Sequence, residues 1–287
     1  MSSTATAPKF ALVLGSGGVK SIAALGVAEV LLREGMAPDL IVGSSAGAVF
    51  GAVLAMGCSS AEAAALAARL WSREVTSQRR WRAWPQLLLP RLSGFSEHFS
   101  LRDDRLINAR LQQAFGDTRL QDLPTRLAVN ATDAHTGESV GLTQGSLTDA
   151  LRASIALPFL FAPKALDGRL LVDGSLSDPV PVALAGRARL VVAVGFKVPQ
   201  PRRVDRASRL ATRITATLSN NLMDARLDAL AGPHLVSIFP ALERRIGLFD
   251  TEAMPYLIAL GRRSAEAALP LIEAAAAGQN RLSLAAA

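Results

Sequence analysis

The sequence predicts an α/β fold that opens with parallel strand pairing, and three observations carry that prediction. Residues 10–14, Phe-Ala-Leu-Val-Leu, form a short continuous apolar run of the kind found in strands buried on both faces. A glycine-rich turn and an amphipathic stretch follow, with Ile22, Leu25, Val30 and Leu31 on one helical face and Gly35 at its end. A second apolar run, 40–42, enters Gly43-Ser44-Ser45-Ala46-Gly47 and leaves into an alanine-rich helical pattern. Strand, glycine loop, helix, strand, helix is the order of a parallel unit.

Bulk composition narrows the class. A chain of 287 residues, 50% hydrophobic and 19% charged, is globular and has room for a large core. Its net charge of +7 comes from arginine, with only four lysines, and favours anionic partners such as lipid head groups, nucleic acid or an acidic protein. No lysine run or regular basic helix face points to nucleic acid, so none is expected. The single cysteine, Cys58, excludes an internal disulfide and reads as a small buried residue. Residues 1–8 are small and polar, without a basic patch followed by an apolar core. A disordered start, no secretion signal and a cytoplasmic location are expected. The uncharged stretch 40–61 is long enough to span a bilayer, and Gly43, Gly47 and Gly51 have the spacing used between membrane helices. Gly-Ser-Ser interrupts it after three residues, so a buried strand followed by a buried helix is the expectation.

Further along, residues 61–75 read as a helix. The segment 71–99 holds Trp71, Trp81 and Trp84, the cluster Arg79-Arg80-Trp81-Arg82, and the run Leu87-Leu88-Leu89-Pro90. Basic residues interleaved with tryptophan suit a surface that touches anionic lipid or covers an apolar cleft; an insertion whose tryptophans pack on the core is the plainer reading. Helices are expected over 103–115 and 147–156, the latter stopped by Pro158. Strands at 127–132 and 139–143 flank a turn at 133–138. The run 170–172 enters Asp173-Gly174-Ser175, and 191–194 is another buried strand, followed by an arginine-rich linker at 199–206. A helix at 210–230, a strand at 235–239 and a long helix at 251–277 with a kink at Pro270 complete one domain over 9–277, with 278–287 frayed.

Gly-x-Ser-x-Gly between strand and helix is the pattern of a nucleophile elbow: a sharp corner lifts Ser45 out of the sheet, and Gly43 and Gly47 keep strand and helix from colliding. A serine hydroxyl needs a base and donors for the oxyanion it creates. The loop Gly15-Ser16-Gly17-Gly18-Val19-Lys20 follows the neighbouring strand, so the amides of Gly17 and Gly18, with that of Ala46, are the expected oxyanion hole. A dinucleotide site needs a third glycine where Lys20 stands and an acid after the second strand, and a Walker loop needs Gly-Lys-Ser/Thr; neither pattern is met. Lys20 reads either as a solvated first-turn residue or as electrostatic support for the loop. For the base, the order Ser45, Asp173, His234 would suit an α/β-hydrolase triad, although that fold sets its elbow deeper in the chain. His135 falls in a turn and reads as exposed and inert; the remaining histidine is His98.

Taken together these residues resemble the patatin-like phospholipases. Gly17-Gly18-Val19-Lys20 is similar to the family's oxyanion loop with its basic residue, Gly43-Ser44-Ser45-Ala46-Gly47 to its elbow, and Val172-Asp173-Gly174 to its Asp-Gly motif. The stretch from Ala150-Leu151-Arg152-Ala153-Ser154 to Pro158 is similar to the segment that precedes that motif. The resemblance spans roughly 10–60 and 127–185. It implies a three-layer α/β/α sandwich with a mostly parallel central sheet, and a Ser–Asp dyad in which Asp173 acts on Ser45 without histidine. It also implies hydrolysis of lipid acyl esters (phospholipase A, lysophospholipase or carboxylesterase type) with no metal or cofactor. Gly15 and Gly174 belong to the supporting motifs. Ser16, Ser21 and Ser175 stand where the family usually has glycine, a departure that bears on efficiency. An acyltransferase on a related sandwich and a weakly catalytic membrane-associated protein are the other readings.

Overall fold

The computed structural model describes residues 7–72, 74–75 and 95–278. Among them, eight strands form one sheet: β1 (Phe10–Leu14), β2 (Leu40–Ser44), β3 (Arg126–Asp133), β4 (Ser139–Leu142), β5 (Lys164–Leu166), β6 (Arg169–Asp173), β7 (Leu190–Val194) and β8 (Leu235–Ile238). The order is β5-β6-β3-β2-β1-β7-β8, with β4 also on β3. Strands β3, β2, β1, β7 and β8 pair in parallel; the pairs made by β4, β5 and β6 are antiparallel.

The continuous apolar runs are divided between two cores. Leu12 and Leu14 face one, Ala11 and Val13 the other, as a strand covered on both faces requires. The larger core is built with α1 (Ala23–Arg33), α2 (Ala46–Ala55), α3 (Ser60–Leu70), α4 (Arg105–Phe115), α5 (Leu147–Ser154) and α7 (Met254–Ala276). The smaller is covered by α6 (Ala207–Ala229) through Met223 and Leu227, together with Val180, Val182 and Ala185. The result is the expected α/β/α sandwich, with unequal layers.

Several expectations are refined. The helix foreseen from Ile22 opens as a 3-10 turn, Gly18–Ile22, before α1. The helix foreseen over 61–75 ends at Leu70, because Trp71 turns inward, its ring against Phe50 and Phe249 and its Nε1 donating to the Leu248 carbonyl at 3.3 Å. Its start is fixed by Ser59 and Glu62, each bonding the other's backbone amide. The uncharged stretch 40–61 is β2 plus the buried α2, and no described helix is long and apolar enough to cross a membrane. Cys58 is half-buried against the core. α7 continues through Pro270. Residues 1–6, 73, 76–94 and 279–287 lie outside the described residues, and with them the Trp81, Trp84, Arg79, Arg80, Arg82 and Leu87-Leu88-Leu89 cluster and most of the frayed end.

Two glycines let α1 and α7 touch backbone to backbone. A Cβ on Gly26 would stand 2.0 Å from the Ile258 carbonyl oxygen, and one on Gly261 1.9 Å from that of Ala23. Neither neighbour is a side chain that can swing away. Gly261→Ala is therefore expected to lower the unfolding free energy by about 2–3 kcal/mol, read from urea denaturation. A loss under about 0.5 kcal/mol, the range of an inert surface change, would contradict the contact.

Candidate active site

The site is set by how β3 shares one of its edges. Asn130 pairs with Ser44 of β2 on one side and Gly141 of β4 on the other. The next residue, Ala131, pairs with Val140 of β4 and, where β2 has left, with Asp173 of β6. Asp173 thus stands one step beyond Ser44, beside the corner where the chain turns out of the sheet. That corner is Ser45, at φ 55° and ψ −131°, a conformation that costs a non-glycine residue about 1–3 kcal/mol. Its turn is so tight that a Cβ on Gly43 would meet the Ala48 Cα at 2.4 Å, and one on Gly47 the Leu14 carbonyl at 2.3 Å.

The Ser45 hydroxyl donates to Asp173 Oδ2 at 2.7 Å. Asp173 is 1% exposed; burial raises its carboxyl above the usual range, opposed by hydrogen bonds from Ser45 and from the hydroxyl and amide of Ser175. The Ser175 amide reaches Oδ1 at 2.8 Å. A polar frame behind the pair was not assigned from sequence. Ser154 accepts from the Ser45 amide at 2.8 Å and donates to the Asn130 carbonyl at 2.6 Å. Asn130 Nδ2 donates to the Gly174 carbonyl at 2.8 Å, and the Thr132 hydroxyl to the Asp173 carbonyl at 2.8 Å. Asn130 and Thr132 were legible as polar residues in an otherwise apolar strand; Ser154 carried no such mark.

In the glycine loop three amides are already bonded: Gly15 to the Val194 carbonyl, Ser16 to Pro179 and Val19 to Leu248, at 2.7–2.9 Å. The amides of Gly17 and Gly18 have no acceptor among the described residues, nor does that of Ala46 at the start of α2. Gly18, at φ 61°, lies against Leu248. Ser21 bonds the Gly15 carbonyl at 2.8 Å, so its hydroxyl braces the loop. Lys20 is buried, not solvated, and burial lowers its ammonium pKa.

The histidines lie elsewhere. His234 precedes Leu235, whose register leads through Val191 and Ala11 to Leu40. That is the opposite end of the parallel strands from Ser45, six residues or roughly 20 Å away along the strands at 3.3 Å per residue, and three strands across. A Ser45–Asp173–His234 triad is thereby excluded. His98 and His135 are exposed.

A serine on a strained strand–helix corner, bonded to a buried aspartate and next to a loop with free amides, is thus the centre of the site. The family described as Patatin-like phospholipase matches residues 12–185, more than half of the 287, and the chain belongs to that family. An uncharacterized NTE family protein of Mycobacterium tuberculosis is 38% identical over 193 residues, 67% of this chain and 50% of the relative. Patatin-like phospholipase domain-containing protein 7 of Mus musculus is 32% identical over 195 residues, 66% of this chain and 14% of the relative. The match thus spans half or less of the length of these relatives. VipD from Legionella pneumophila shares the fold at TM-score 0.52 and 17% identity, over 94% of this chain and 67% of that one.

Next to the site, Asp178 is 3% exposed and its Oδ1 has no partner among the described residues. Burial pushes its carboxyl from 3.8 up to about 6, against the pull of Arg226 and the Val180 amide. A raised carboxyl pKa means that protonation favours the fold. Its support is full below 3.8 and lost as pH rises through about 6. Asp178→Asn is therefore expected to stabilise the protein above neutrality by at most about 3 kcal/mol, a gain that vanishes near about pH 4. Urea titrations at the two pH values check this; an equal effect at both would refute it.

Proposed function

We propose that the chain is a carboxylic ester hydrolase acting on lipid acyl esters through a Ser45–Asp173 dyad. The observation that carries this reading is the 2.7 Å bond from the Ser45 hydroxyl to a carboxylate buried within the sheet. Asp173 takes the Ser45 proton as Oγ attacks the ester carbonyl. The free amides of Gly17, Gly18 and Ala46 receive the oxyanion, at the positive end of α2. The tetrahedral intermediate collapses, Asp173 passes its proton to the departing alcohol, and an acyl-enzyme on Ser45 remains. Water then attacks, Asp173 removes its proton, and the acid leaves as Ser45 is reprotonated. The family membership supports the lipid substrate class.

Burial raises Asp173 and so increases its strength as a base; the donors at Ser175 pull the other way. Because the base must be ionised, kcat/KM is expected to fall as pH drops through the raised value. Ser175→Gly should shift that acid limb to higher pH, whereas an unmoved limb would remove Ser175 from the reading.

A fluorophosphonate probe should label the wild type and leave Ser45→Ala unlabelled. Asp173→Asn should lower turnover of a p-nitrophenyl ester by about a thousandfold or more with the melting temperature kept or raised. Labelling that persists in Ser45→Ala sinks the mechanism. Ser154→Ala removes the acceptor of the Ser45 amide and is expected to lower kcat by about ten- to a hundredfold, with a smaller effect on KM.

A further inference from the structure

The arginine-rich linker and α6 take no part in the chemistry above. Beyond β7 the chain runs back along α6. Lys197 pairs with Asp224, Val198 exchanges two hydrogen bonds with Asn220, and Gln200 donates to Thr217 at 3.0 Å. The Pro201 carbonyl accepts from Arg213 at 3.0 Å. The part of α6 before Asp224 therefore overhangs the end of the sheet from which Ser45 is presented, since β1, β2 and β7 are parallel. At 1.5 Å per residue, Leu210 stands roughly 20 Å beyond Asp224.

This overhang is two-faced. Between Ala207 and Leu222 its buried residue is Ala216, while Leu210, Ile214 and Leu218, spaced four apart on one stripe, are 49%, 51% and 65% exposed. At its tip Arg202, Arg203, Arg209 and Arg245 line a cavity of about 460 Å³. Arg209 is paired with Asp205; Arg202 and Arg203 have no acidic partner among the described residues. The first turn of α6 carries no acidic residue, and Arg206 supplies no side-chain cap, so the positive end of the helix adds to the arginines.

We propose that this overhang is a docking face for an anionic lipid surface, the Leu210–Ile214–Leu218 stripe entering the interface and the arginine tip meeting phosphate head groups. A second copy of the chain is disfavoured as occupant, because stripe against stripe would leave Arg202 and Arg203 with no anionic group to meet. The proposal deepens the lipid-hydrolase reading by bringing the Ser45 edge of the sheet to a bilayer, and its test does not need that reading to hold.

The test is sedimentation of the full chain with vesicles of phosphatidylcholine alone and of phosphatidylcholine with phosphatidylglycerol. Wild type and Ser45→Ala are expected to bind the anionic vesicles equally, so catalysis and docking are judged apart. Each arginine near such a surface is worth about fivefold in binding. Arg202→Ala/Arg203→Ala, and separately Leu210→Ser/Ile214→Ser/Leu218→Ser, should weaken binding about tenfold or more with unchanged melting by circular dichroism. The proposal is overturned if wild type ignores anionic vesicles, or if the stripe variant binds them as wild type does. It is equally overturned if binding is lost on changing Trp81 and Trp84 but not the stripe, or if the stripe variant only converts a dimer to a monomer. Stabilisation by inorganic phosphate without vesicle binding would reassign the tip to a soluble anion.

Discussion

The handover on one edge of β3 places Ser45 against Asp173, and the other features of the site exist to hold it. β2 leaves after Asn130, β6 arrives at Ala131, and one hydroxyl and one carboxylate meet in the gap at 2.7 Å. The arrangement is costly twice over. A carboxylate is taken out of water, and a non-glycine residue is held at positive φ. Ser154, Asn130 and Thr132 offset part of this by satisfying the backbone around the corner, so that Ser45 and Asp173 cannot drift apart without orphaning buried groups.

The elbow, the glycine loop and the Asp-Gly turn were legible in the sequence because each makes a local demand that few residues meet. Gly43 and Gly47 permit a close approach, and Gly18 a left-handed corner. The unbroken apolar run 10–14 also announced a strand between two layers, and Leu12 and Leu14 face one core, Ala11 and Val13 the other. What stayed hidden depends on pairing between distant segments. Nothing in residues 126–133 says that two different strands share one edge, and a three-residue strand such as β5 is too short to leave a period. Lys20 was ambiguous for the same reason, since a first-turn lysine looks identical whether its surroundings are water or protein. The end of α3 was missed because a tryptophan in a helical pattern gives no sign that it will turn into the core.

The two layers divide the work. The larger, with six helices among the described residues, supplies nearly all of the core and carries α2 behind Ser45. The smaller needs only a few buried positions of α6, which frees the rest of that long helix from packing duties.

The family match ends at residue 185, yet the glycine loop is tied down from beyond it. The Val194 carbonyl holds the Gly15 amide, and the Leu248 carbonyl holds that of Val19. The same Leu248 carbonyl accepts the indole of Trp71. The region outside the shared core is thus not an appendage that can drift in sequence without consequence. Because backbone carbonyls do the holding, its side chains are free to diverge while its path is not, and relatives can differ widely there as long as two oxygens return to the same place.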